Sequence, residues 1–282
     1  MNVNTAKLAG LAEQIPSMGG ARFGPALRQF AREAPGNTAI VEVGCWLGAG
    51  TAQLALGILE RETEADICIH CYDRWIANKV EVEKAARAGL HLELAEDILP
   101  HTRRMLQPFN IPIEFHQGDI RHATWNGFPI SVYVDDASKT PKLFFHALRT
   151  FAPSWIPGQT VIILMDYDIW QKTGNDDHKC QKEFIESHSF SFERIPHPKY
   201  AIFRYRAPVA FEDWIVSKEG VPNDRVAALV QEIRMRDEQI ASLDAQVQQM
   251  KDSFSWRVTA PIRWAADSAR RLFGQVTGGH TR

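Results

Sequence analysis

The sequence predicts an α/β fold. Its core is a mostly parallel sheet with helices on both faces, closed by a C-terminal β-hairpin and followed by a coiled-coil helix. Three observations carry this. Short apolar, β-branched runs alternate with helical stretches over residues 36–208, and strands separated by helices form βαβ units around a parallel sheet. Two late apolar runs flank Pro196, His197 and Pro198 and read as a hairpin. Residues 223–254 contain no Gly or Pro and carry a heptad.

Taken in order, residues 1–35 read as a helical segment. Within it ALRQFAREA (26–34) is rich in helix formers and stops before Pro35 and Gly36. The expected strands are Ala39–Val43, Ile67–Tyr72, Ile111–His116, Ile130–Val134 and Thr160–Met165, each short and apolar. Helices are expected between them at Thr51–Arg61, Val80–Leu106 (with an interruption at Gly89) and Pro141–Phe151. The runs Phe190–Ile195 and Tyr200–Tyr205 complete the hairpin. A linker is expected over 209–222, the coil over 223–254 and a separate tail over 255–282. In the coil, Val226, Ile233, Ile240, Val247 and Phe254 fall at a, with Leu229, Arg236, Leu243 and Met250 at d. That pattern predicts a homo-oligomer through 226–254, and β-branched a positions lean toward a parallel dimer.

Length and composition set bounds. The 282 residues allow one large domain, or one domain with an appendage, at roughly 100–200 residues per domain. The chain is 45% hydrophobic and 23% charged, which is ordinary for a globular protein. Its 32 basic and 34 acidic residues leave a net charge of −2, so no nucleic-acid partner is expected. Apolar runs such as TVIILM (160–165) fall far short of the ~20 residues that span a bilayer. The opening MNVNTAKLAGLAEQIP has no charged start followed by a long apolar stretch, so no secretory signal is expected. Four cysteines at 45, 68, 71 and 180 are too few and too irregular for a disulfide framework. A reducing cytoplasm is the expected location.

The stretch AIVEVGCWLGAGT (39–51) carries the most chemistry. A strand ends at Val43, Gly44, Gly48 and Gly50 follow, and Thr51 opens a helix. Glycines let the backbone approach a ligand closely, and a helix N-terminus offers free N–H groups. No nucleoside-triphosphate loop signature is present, and the glycine spacing is not that of the dinucleotide fingerprint. With Glu42 two residues before the first glycine, the stretch resembles motif I of class I S-adenosylmethionine (SAM) methyltransferases. The form E-V-G-x-x-x-G-x-G-T is similar to that of the sugar and macrolide O-methyltransferases.

The resemblance spans about residues 36–206 and implies a Rossmann-like, seven-stranded methyltransferase fold with SAM as cofactor. It places Glu42, Gly44, Gly48 and Gly50 at the cofactor. It also implies that Asp73, in CYDRW (71–75), accepts from the ribose hydroxyls, with Trp75 covering the adenine face. Asp119 and Ile120, in QGDI (117–120), then lie beside the adenine. The sugar-type relatives carry a His base after the fourth strand, where this chain has VDDASK (134–139). Three arrangements are open in its place. Lys139 can act as the base if burial lowers its pKa, or Asp166 or Asp168 of MDYD (165–168) can act directly. Alternatively Asp135 and Asp166 hold Mg²⁺, with Asp168, Asp176 or Asp177 as a third ligand. Asp135, Lys139 and Asp166 are thus the expected catalytic residues.

CIHC (68–71) is not expected to bind metal or act in redox, because positions i and i+3 of a strand face opposite sides. The tail FSWRVTAPIRW (254–264) resembles the S-W-R-x-T-x-P-x-R segments that follow coiled coils in bacterial polysaccharide-assembly enzymes. Its arginines and tryptophans suit peripheral contact with the inner face of the cell membrane. The chain therefore reads as an O-methyltransferase for a sugar hydroxyl of a polysaccharide, glycolipid or glycosylated metabolite. Its rivals are a non-catalytic scaffold acting through the coil and an N-methyltransferase of amino sugars.

Overall fold

The chain divides into two units, 1–220 and 221–282. A computed structural model describes residues 3–19, 24–62, 66–198 and 200–209, with three helical positions at 242, 243 and 246. Those three apart, the expected coil and tail lie outside the described residues, as does the linker beyond Val209.

Two helices, α1 (Val3–Gln14) and α2 (Gly24–Glu33), precede the sheet. Then come β1 (Thr38–Val43), α3 (Ala49–Leu59), β2 (Ile67–Asp73), α4 (Lys79–Arg87), α5 (Leu99–Leu106) and β3 (Ile113–Gln117). The second half holds β4 (Ile130–Asp135), α6 (Pro141–Phe151), β5 (Val161–Leu164), α7 (Trp170–Thr173), α8 (Cys180–Ser187), β6 (Phe192–Ile195) and β7 (Ala201–Tyr205). The seven strands form one sheet in the order β3-β2-β1-β4-β5-β7-β6. β1 to β5 are parallel, and β7 runs antiparallel to both β5 and β6. This is the seven-stranded, Rossmann-like arrangement that the sequence resemblance implies, with the hairpin at one edge. The chain leaves β1 in one direction toward β2 and β3, and in the other toward β4 and β5. Open α/β sheets bind ligands at the carboxyl ends of the strands beside such a switch point.

The two faces of the sheet bury alternate residues. Ile40, Ile69, Cys71, Val132 and Ile163 pack with α1, α2, α3 and α5. Val41, Val43, Tyr133, Ile162 and Phe203 pack with α6 and α8. All six residues of β1 and of β4 are buried, so even a strand-borne carboxylate such as Glu42 lies inside the protein.

The helix expected over Val80–Leu106 is two helices. α4 stops at Arg87, Gly89 takes a left-handed φ of 78°, and a loop runs to Leu99. Pro100 explains the restart, since it lacks an N–H and suits a helix's first turn. The loop is pinned to the end of β2, where Ala77 donates to Glu96 and Ile98 to Trp75. No helix among the described residues is long and apolar enough to cross a membrane.

Candidate active site

The site is built on the turn after β1. Gly44 and Gly48 adopt left-handed φ values of 89° and 88°. A side chain at Gly44 would sit 2.9 Å from the Asp136 backbone, so the turn and the end of β4 close on each other through a glycine. Gly50 is needed for a different reason. A Cβ there would lie 2.1 Å from Glu42 Oε1. Glu42 stands beneath the turn, and its Oε2 accepts from Thr51 Oγ1 at 2.5 Å. Burial pushes its carboxyl up to about 7. The N-terminus of α3 has no side-chain cap, which leaves first-turn N–H groups for a ligand.

Asp73 closes the turn from the side of β2. Its two oxygens accept from the Trp46 and Trp75 N–H groups, each at 2.8 Å. A carboxylate has about four lone-pair directions, so half of its capacity is uncommitted. Two cavities meet over this corner, one of about 690 Å³ and one of about 680 Å³. The first is lined by Glu42, Ala49 and Gly50, the second by Asp73, Gly118, Asp119, Ile120 and Lys139. Gly44, Trp46 and Asp136 line both.

Asp136 is the residue that sequence reasoning missed. It stands at the junction of the two cavities. Burial, reinforced by the nearby Asp166 carboxyl, pushes its own carboxyl up to about 8. Lys139 opposes this, and its Nζ lies 3.5 Å from Asp166 Oδ2. Asp166 is 9% exposed, and burial raises its pKa. Three carboxyls and one ammonium therefore meet at the carboxyl ends of β1, β4 and β5. Such a cluster favours a cationic ligand and a group that holds or takes a proton near neutral pH.

The structure corrects two expectations. Asp135 does not face the cleft. It is fully buried; its Oδ1 accepts from the Ala137 and Ser138 N–H groups, and its Oδ2 accepts from the Tyr133 hydroxyl. These bonds make it the brace of the turn after β4, neither a catalytic group nor a partner for Asp166 in holding Mg²⁺. The Asp-to-i+2 and i+3 pattern is that of an Asx turn, a signal present in DDAS. Trp75 does not cover the cofactor either. It is 0% exposed, donates through Nε1 to the Trp46 carbonyl and packs edge-on against Phe115. Its backbone is left-handed, with a φ of 48°, and it lines neither cavity. Asp119 lines the second cavity, but its carboxylate is clasped by Arg121, which holds it well below the usual carboxylate range. Glu42, Gly44, Gly50, Asp73, Ile120 and Lys139 line the cleft, and Gly48 caps α3.

No protein-family model and no curated protein sequence matches the chain. Similar solved structures include CalS11, a TDP-rhamnose 3'-O-methyltransferase of calicheamicin biosynthesis. It is 14% identical over 71% of this chain and 92% of its own, with a TM-score of 0.42. A TehB-like SAM-dependent methyltransferase from Corynebacterium glutamicum is 10% identical over 73% and 100%, with a TM-score of 0.40. MycE methyltransferase of the mycinamycin pathway, in complex with Mg, SAH and mycinamycin VI, is 14% identical over 75% and 58%, with a TM-score of 0.41. Likenesses of this depth leave the chemistry to be read from this chain's own side chains.

Proposed function

We propose that the chain is a SAM-dependent O-methyltransferase whose acceptor is a sugar hydroxyl in bacterial polysaccharide, glycolipid or glycosylated-metabolite assembly. The observation that carries this reading is the pairing, across one glycine turn, of a half-committed Asp73 carboxylate with the Glu42–Asp136–Asp166 cluster. The residues fit the cofactor part by part. Asp73 has lone pairs for the ribose diol, Ile120 offers apolar surface for adenine, and the uncapped start of α3 suits a carboxylate. The acidic cluster suits an ammonium and a sulfonium.

Bound there, SAM supplies an electrophilic methyl group with a good leaving group, so orientation accounts for much of the rate. The chain's own part is to place the acceptor and accept its proton. Asp136 has the position and the basicity, since a carboxyl pushed to about 8 is a far better base near neutral pH than an ordinary aspartate. Lys139, ion-paired to Asp166, orients that charge and keeps the cluster from full like-charge repulsion. The coil over 226–254 would assemble the enzyme as a homo-oligomer. The basic tail would bring it to the inner membrane face where polysaccharide is built.

Calorimetric titration of the full chain with SAM and with S-adenosylhomocysteine (SAH) tests the reading. Micromolar binding is expected, weakened about tenfold to a hundredfold in Asp73→Ala, the range of one to two charge-assisted hydrogen bonds. Thermal melting shows whether that variant keeps its fold. No binding by the folded wild-type chain would sink the enzyme reading and leave the scaffold reading in its place.

A further inference from the structure

Away from the cleft, the edge of the sheet holds a cluster that the methyl-transfer reading does not use. β3 is the edge strand and lies parallel to β2, with His70 beside Glu114 and Tyr72 beside His116. Strand alternation puts Cys68, His70 and Tyr72 on one face, opposite Ile69 and Cys71, which belong to the core of the other face. His70 Nδ1 lies 3.1 Å from His116 Nε2 and 3.3 Å from Glu114 Oε2, and His116 Nε2 lies 3.8 Å from the same oxygen. Cys68, His70 and Glu114 each offer a ligand atom within 4.8 Å of the other two. From the usual zinc bond lengths, neighbouring N, O and S ligands of a tetrahedral site stand about 3.3–3.6 Å apart. The His70–Glu114–His116 triangle is close to one face of such a tetrahedron, and Cys68 lies beside its His70–Glu114 edge.

We infer that Cys68, His70, Glu114 and His116 form a binding site for a divalent transition-metal ion of the zinc type. The donor set of two imidazoles, one thiol and one carboxylate selects a borderline ion over Mg²⁺ or Ca²⁺, which want oxygen ligands. Four protein donors fill a tetrahedral shell, so the site is structural and fastens the edge strand to β2. The rings are already held in place. Tyr72 stacks on His116 at 4.3 Å between centroids, and Trp125 meets His70 edge-on at 4.8 Å. His70 is buried while the Glu114 side chain is 60% exposed, which gives the ion a way in from solvent. The Cys68 thiol gives up its proton to solvent when the metal–sulfur bond forms.

The test uses the tag-free full chain, stripped with a chelator and titrated with Co²⁺ and then Zn²⁺. One equivalent of Co²⁺ should give the visible bands of a four-coordinate site and a thiolate charge-transfer band, both bleached by Zn²⁺. At a hundredfold excess over Kd, Zn²⁺ should raise Tm by about 5–10 °C, and Mg²⁺ should not. Glu114→Gln and His116→Gln change partly exposed side chains and should each weaken binding at least tenfold. Cys68→Ser should abolish the charge-transfer band, whereas Cys45→Ser, altering a thiol of a buried Glu42–Cys45–Cys71 group, should keep it. No saturable binding below millimolar metal, a band that survives Cys68→Ser, or affinity unchanged in His116→Gln would each overturn the proposal.

Discussion

Replacing Asp136 with Asn should make the protein more stable and less able to bind SAM, and the gain in stability should grow with pH. The side chain is half-buried between the Asp166 and Glu42 carboxyls, and its pKa rises from 3.8 to about 8. The native carboxyl therefore holds its proton more tightly than the unfolded one. Stability is greatest below about pH 4, declines as pH rises while the unfolded chain ionises and the native chain resists, and levels off above about pH 8. Roughly four pKa units at 1.36 kcal/mol each set an upper bound near ~6 kcal/mol. Solvent screening of the half-buried side chain reduces this to about 2–3 kcal/mol. Asn keeps the shape and removes the charge. Urea denaturation of both proteins, compared pair by pair between about pH 4.5 and pH 9, should show almost no difference at the acid end and the full gain at the basic end. The same variant should lose more affinity for cationic SAM than for SAH. A pH-independent difference, or a destabilised variant, would refute the placement of Asp136 among like charges.

Three further substitutions separate the roles of neighbouring residues. Asp135→Ala should cost about 2–4 kcal/mol in urea denaturation, because it strips the acceptor from two backbone N–H groups and the Tyr133 hydroxyl; with Asp136→Asn this gives opposite signs at adjacent positions. Gly50→Ala should cost about 1–3 kcal/mol and weaken SAM binding, since the new methyl would have to displace Glu42 from Thr51; an unchanged calorimetric isotherm would contradict this. Trp75→Leu should lower stability by about 2–4 kcal/mol as a cavity opens in the core. It should also leave the affinities for SAM and SAH nearly unchanged well below the melting temperature, whereas loss of a ring stacked on adenine would weaken both ligands at unchanged stability.

The parallel strands were legible because burial on both faces leaves a continuous apolar run. Ile130–Asp135 and Val161–Leu164 are two such runs. α6 was legible to the residue because Pro141 marks its first turn and Phe144, Ala147, Leu148 and Phe151 mark its buried stripe. α8 was not legible. Its buried face includes Gln181, whose amide donates to the Ser138 carbonyl, so the helical period is broken by a polar residue that is satisfied only in the folded protein. The same limit applies to the site. Asp135 and Asp136 are adjacent acids at a strand end, and which one enters the cleft depends on how the next turn recruits an acceptor. Asp135 goes to the turn's N–H groups, and Asp136 is thereby left to the cavities.

The edge cluster shows how far single-strand reasoning reaches. Strand parity separates Cys68 from Cys71, and the structure places them on opposite faces as that rule requires. Parity also puts Cys68 beside His70, but that pair means little until a second strand is laid against it. The register of β3 on β2 is set on the opposite face, where Phe115 packs against Trp75 and joins Ile113 at the edge of the core. A slip of one residue would turn Phe115 outward and drive Glu114 and His116 into apolar surroundings, at a cost that an edge strand with one face against the core does not tolerate. The apolar residues of one face thus choose which polar residues meet on the other. Glu114 and His116 come to His70 because Phe115 must come to Trp75, and no spacing within either strand contains that fact.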